Sequence, residues 1–84
     1  MEKSIIVISA VWCPSCLILN KHLKKIKENY DIKITKLDYD FDDIEEYNVG
    51  DKLPVIILKD KNNNEIKRLI GEKSYQEIVD FLEV

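Results

Sequence analysis

The chain has 84 residues, 45% hydrophobic and 35% charged, with 13 basic against 16 acidic side chains and a net charge of -3. That length holds one domain, residues 1–84, whose folding buries about 60% of the unfolded chain's surface. With no run of about 18 apolar residues, no signal-peptide pattern and no basic stripe, we expect a cytoplasmic protein without membrane or nucleic-acid partners, and a monomer.

Residues 4–9, SIIVIS, are a nearly continuous β-branched run, as in a strand buried on both faces. From Pro14 the period changes: Cys16, Leu19, Leu23, Ile26 and Tyr30 recur at spacings of three and four, with Lys21, Lys24, Lys25 and Glu28 on another face. This predicts an amphipathic helix of about 16 residues, with Pro14 in its first turn, where a missing N–H costs nothing. Residues 32–39 alternate as a second strand, and the acidic stretch after them reads as a short helix closed by Gly50. Pro54 precedes the apolar strand VIILK; the polar run DKNNNE then turns into IKRLI, predicting an antiparallel hairpin. Gly71 ends that strand, and Ser74 with Glu77 forms a capping box before a helix presenting Tyr75, Ile78, Val79 and Leu82 on one face. The expected fold is α/β, in the order β-α-β-α-β-β-α, with a mixed four-stranded sheet and helices on both faces.

The only two cysteines, Cys13 and Cys16, stand three apart between the first strand and the first helix. Random placement gives that spacing in about 2% of arrangements. At the helix start, the unpaired N–H groups and the dipole favour a thiolate at Cys13, while Cys16 lies on the core-facing stripe. An exposed nucleophile beside a sheltered thiol is suited to thiol–disulfide exchange. Two other readings compete. A structural disulfide closing so short a loop removes only about 2 kcal/mol of unfolded-chain entropy, which makes a poor staple. A metal site would need more ligands than two cysteines and His22, which is nine residues from Cys13, about 13 Å along a helix. Copper(I), which accepts two thiolates, keeps a metal-transfer module open as an alternative from another class. We otherwise expect no bound metal and no cofactor. Asp38–Asp42 copies the start of a calcium loop, but Asp43 and Val49 stand where glycine and glutamate are needed. His22 reads as a surface side chain.

The stretch Trp12-Cys13-Pro14-Ser15-Cys16, the Leu53-Pro54 pair before an apolar strand, and the hairpin with Gly71 before the last helix together resemble the thioredoxin-like superfamily. In length and element order the chain is similar to glutaredoxins and to short, glutaredoxin-sized thioredoxins. The resemblance implies that Cys13 is the attacking and Cys16 the resolving cysteine of a redox-active disulfide, with Pro14 and Ser15 shaping the site between them. It makes Trp12 an apolar platform and Pro54 a cis-proline. Trp12, Leu53, Pro54 and Gly71 would contact substrate, the Leu53 backbone accepting an extended segment as an added strand. It also puts Lys36 and Asp40 where they would support the Cys16 proton or charge, although a solvated strand-end lysine is an equal reading of Lys36. Val7 stands six positions before Cys13, where thioredoxins bury a carboxylate. The T-V-P and Gly-Gly segments with which glutaredoxins hold glutathione are not reproduced at Lys52–Pro54 or Ile70–Lys73. The implied activity is reduction of protein disulfides, with electrons from a thioredoxin reductase-like donor or glutathione; a glutaredoxin-type, glutathione-dependent reductase is the alternative.

Overall fold

In a computed structural model, which describes residues 3–83, the strands are β1 (Ser4–Ser9), β2 (Lys33–Asp38), β3 (Val55–Lys59) and β4 (Glu65–Ile70), and the helices are α1 (Pro14–Asn29) and α2 (Tyr75–Leu82). They form one sheet in the order β2-β1-β3-β4. The pair β1/β2 is parallel, and β1/β3 and β3/β4 are antiparallel. The two central strands are the two continuous apolar runs. Each has a strand on either edge and side chains packed against both of its faces, so β-branched residues suit every position. The edge strands β2 and β4 carry Lys33, Lys36, Lys67 and the Glu65–Arg68 ion pair, at 2.7 Å, whose charges also discourage further strand pairing.

Alternation along β1 and β3 divides the core. Ile5, Val7, Ile56 and Leu58 face α1 and α2, meeting Leu19, Leu23, Ile26, Ile78, Phe81 and Leu82. Ile6, Ile8, Val55 and Ile57 face the opposite way, against Leu37, Tyr39, Ile44, Tyr47, Val49 and Leu53. The expected mixed sheet and element order are present, with one change of element type. Between β2 and β3 the helix is a single 3₁₀ turn, Glu45–Tyr47, ended by Asn48 in the left-handed region at φ 52. Here the aspartates bond backbone rather than start an α-helix: the Asp42 carboxylate accepts from the Asp38 amide at 2.7 Å and Asp38 from those of Asp40 and Phe41 at 2.8 and 3.2 Å. Both α-helices therefore share one face, and the segment between β2 and β3 covers the other. The β3–β4 loop is built the same way, with Asp60 accepting from the amides of Asn62 and Asn64 at 2.9 and 3.0 Å. The capping box of α2 is closed in both directions between Ser74 and Glu77.

Candidate active site

The carboxyl end of β1 delivers the chain to Cys13, whose extended backbone (φ -99, ψ 110) makes it the N-cap of α1 with Pro14 following at the helix start. Its Sγ accepts the Cys16 amide at 3.3 Å, taking the place of the capping oxygen that Ser, Thr or Asp would supply. The motif's spacing thus follows from helix geometry: three residues on, the amide of Cys16 comes back beneath the capping sulfur. Both thiols are free.

Neither sulfur is open. Cys16 is 2% and Cys13 only 6% exposed, so the exposed nucleophile expected from sequence is replaced by a largely covered one. The cover comes from elsewhere in the chain, because Ala10, Cys13 and Cys16 form a small cluster against Tyr39 and Leu53. Burial is the main cause that pushes the Cys16 thiol up to about 11; its hydrogen bond to Cys13 adds to this, and the Ala10 backbone works against it. Among the described residues no polar or charged side chain is buried. Val7, 1% exposed, contributes only hydrocarbon to the face that α1 covers.

Trp12 is 58% exposed and held at two points. Its indole Nε1 donates to the Asp40 carboxylate at 2.7 Å, and its ring meets Tyr39 edge-on, with centroids 6.2 Å apart. The parallel register explains the placement. Asp38 pairs with Ser9, and the Tyr39 amide continues to the Ser9 carbonyl at 2.8 Å, so the turn after β2 emerges beside the motif. Asp40 consequently acts on Trp12 rather than on Cys16. Lys36 also departs from the expectation. It lines a groove with Asn20, Leu23, Lys24, Lys27 and Ile34, and is not among the groups that shift Cys16. Its partner across the ladder is Val7, two residues short of the strand end that leads to the cysteines.

On the other side, the Leu53–Pro54 peptide is cis. The Pro54 carbonyl accepts from the Gly71 amide at 2.8 Å, continuing the β3/β4 ladder by one step, and Gly71 has φ +90, where any side chain would be strained. Among the described residues the Leu53 amide and carbonyl take no backbone hydrogen bond. The residue after Gly71 was not singled out by sequence: the Glu72 carboxylate accepts from the Ser15 hydroxyl at 2.8 Å. Tyr39 was missed as well. Strand register is the signal that finds both, since each lies within two residues of the last paired residue of an edge strand. His22, read as a surface side chain, is half-buried, with its ring 5.9 Å from that of Tyr75.

A reduced dithiol at a helix N-terminus, facing a cis-proline loop at one end of a mixed sheet, defines the thioredoxin-like class. Solved structures agree in fold. A reduced thioredoxin pre-protein of Schistosoma mansoni superposes with a TM-score of 0.85 at 24% identity, over 98% of this chain and 77% of that one. A mutant thioredoxin of Halobacterium salinarum gives 0.89 at 20% identity, over 98% and 73%. The protein Trxlp of Edwardsiella tarda gives 0.83 at 26% identity, over 96% and 82%. No curated protein matches the sequence. The family profile described as thioredoxin matches residues 1–84, and the chain belongs to the thioredoxin family. Its activity class is thiol–disulfide oxidoreductase.

Proposed function

We propose that this protein reduces disulfides in other proteins by dithiol exchange through Cys13 and Cys16. The observation that carries the reading is the inequality of the two sulfurs: Cys13 caps the helix and accepts an amide, whereas Cys16 is shut away with its thiol pushed up to about 11. The Cys13 thiolate attacks one sulfur of the substrate disulfide, which expels the other as a thiolate and leaves a mixed disulfide. Cys16 then gives up its proton and attacks Cys13, closing the Cys13–Cys16 bond and releasing the second substrate sulfur. Two electrons pass from protein to substrate, and the two thiol protons end on the products.

Trp12, Leu53, Pro54 and Gly71 border this chemistry. The unpaired Leu53 backbone suits an extended substrate segment that adds itself as a short strand. With no carboxylate buried among the described residues, Cys16 acts late, once its hydrogen bond to Cys13 has been broken by formation of the mixed disulfide. The oxidised protein is returned by a thioredoxin reductase-like donor in preference to glutathione, since the segments at Lys52–Pro54 and Ile70–Lys73 lack the glutaredoxin determinants. We place the protein in the cytoplasm as a monomer that uses no bound cofactor.

Replacing Cys16 with Ser tests the division of labour. The variant should accumulate covalent mixed disulfides through Cys13, visible on non-reducing gels and reversed by dithiothreitol. Absence of such adducts with an oxidised protein substrate, alongside normal folding, would overturn the proposal.

A further inference from the structure

Two residues at the rim of the site, one on either side of Cys13 in sequence, are held by carboxylates. Trp12 donates to Asp40 from the turn after β2, and Ser15 donates to Glu72 from the loop after β4. The nearest cations in sequence on the proline side, Lys52 and Lys73, make no ion pair or hydrogen bond among the described residues. The two charges fixed at the mouth are therefore both negative. Glu72 follows Gly71, whose amide is tied to the Pro54 carbonyl, and its exposed carboxylate spans from the proline loop to the middle of the cysteine motif.

We propose that Glu72 is a specificity-determining residue, which, with Asp40, makes the site favour disulfides flanked by positive charge and disfavour anionic ones such as glutathione disulfide. This rests on the dithiol reading above. An incoming disulfide must bring one sulfur to Cys13, so charges a few bonds from that sulfur come to lie beside the rim. At separations of about 6–8 Å near a protein surface, one charge pair changes a rate by about three- to tenfold at low salt, and by less as ionic strength rises. The Ser15 bond holds the carboxylate in place, so this field is present before substrate arrives.

The test uses the reduced protein and three small disulfides: dicationic cystamine, neutral hydroxyethyl disulfide and dianionic glutathione disulfide. Oxidation is followed in single turnover by the fluorescence of Trp12, the only tryptophan. In each case the Cys13–Cys16 bond forms, the substrate bond breaks, and two thiols leave. The neutral disulfide reports changes in thiol reactivity, which scale all three rates together; the cystamine-to-glutathione ratio isolates the rim charge. Glu72→Gln keeps an acceptor for Ser15 and should lower that ratio about three- to tenfold, an effect that fades in high salt. Glu72→Lys should lower it further. Unchanged ratios, with all three disulfides still reduced, would refute the role of Glu72 and leave the dithiol reading standing. Failure of the wild-type protein to reduce any of them would remove both.

Discussion

On one face of the sheet, Ile5, Val7, Ile56 and Leu58 meet two α-helices whose buried contact side chains are aliphatic or phenylalanine. On the other, Ile6, Ile8, Val55 and Ile57 meet a segment whose regular structure is a single 3₁₀ turn, covered by half-buried tyrosines and aliphatics. The helical face holds the larger set of buried apolar side chains, so it contributes the larger share of the hydrophobic burial. The other face is held by carboxylate-to-amide bonds at the surface, and it lends Tyr39, Asp40 and Leu53 to the site. Cys13 and Cys16 sit together with Ala10 in a small cluster of their own, against Tyr39 and Leu53, which also pack on the second face. The difference shows how one fold packs its larger core under the helices and draws the side chains that cover the thiol pair from the loop-covered face.

Truncating the core on each face is the strongest challenge to this contrast. Leu23→Ala, on the helical face, should cost about 2–5 kcal/mol in urea unfolding, and half-buried Ile44→Ala about 1 kcal/mol. Equal losses would show that the loop-covered face is as integral as the helical one. Next comes the pH dependence of the reduced protein. Cys16 rises from 9.0 to about 11 on folding, so its protonated form favours the native state. That contribution is complete below pH 9 and is lost as pH climbs towards about 11. Denaturant midpoints of wild type should fall more steeply across this window than those of Cys16→Ser; parallel profiles would contradict the apolar setting of Cys16. The smallest effect is expected from Asp40→Asn. The Trp12–Asp40 bond is exposed, so stability should change by a few tenths of a kcal/mol to about 1, while Trp12 emission shifts clearly. A large loss of stability would mean that the turn after β2 does more than position the indole.

Much of this could be read from local pattern. The β-branched runs at 4–9 and 55–59, the three-and-four spacing from Cys16 to Ile26, and the Ser74–Glu77 cap each use short-range rules, and each lies where expected. The acidic stretch after β2 misled for a local reason too. Aspartates there satisfy backbone amides in turns as readily as they favour a helix start, and only the need to cover Ile6 and Ile8 decides how the chain runs. Phe81 was not placed on the buried side of α2, because a short helix packed between a sheet and a neighbouring helix buries more than one stripe. The resemblance places Lys36 near Cys16, whereas in the structure it lines a groove with α1 residues Asn20, Leu23, Lys24 and Lys27.

The sequence by itself determined the four strands, the two α-helices, the thiol pair at a helix start, and the loop containing Pro54, because each depends on residues within one or two turns of one another. Tertiary structure decided how far Cys13 is covered, that Asp40 serves Trp12, and that Glu72 reaches Ser15. Those contacts join residues 28 and 57 positions apart. They depend on the β1/β2 and β3/β4 registers, which come from packing both faces of the sheet at once and from no single stretch of chain.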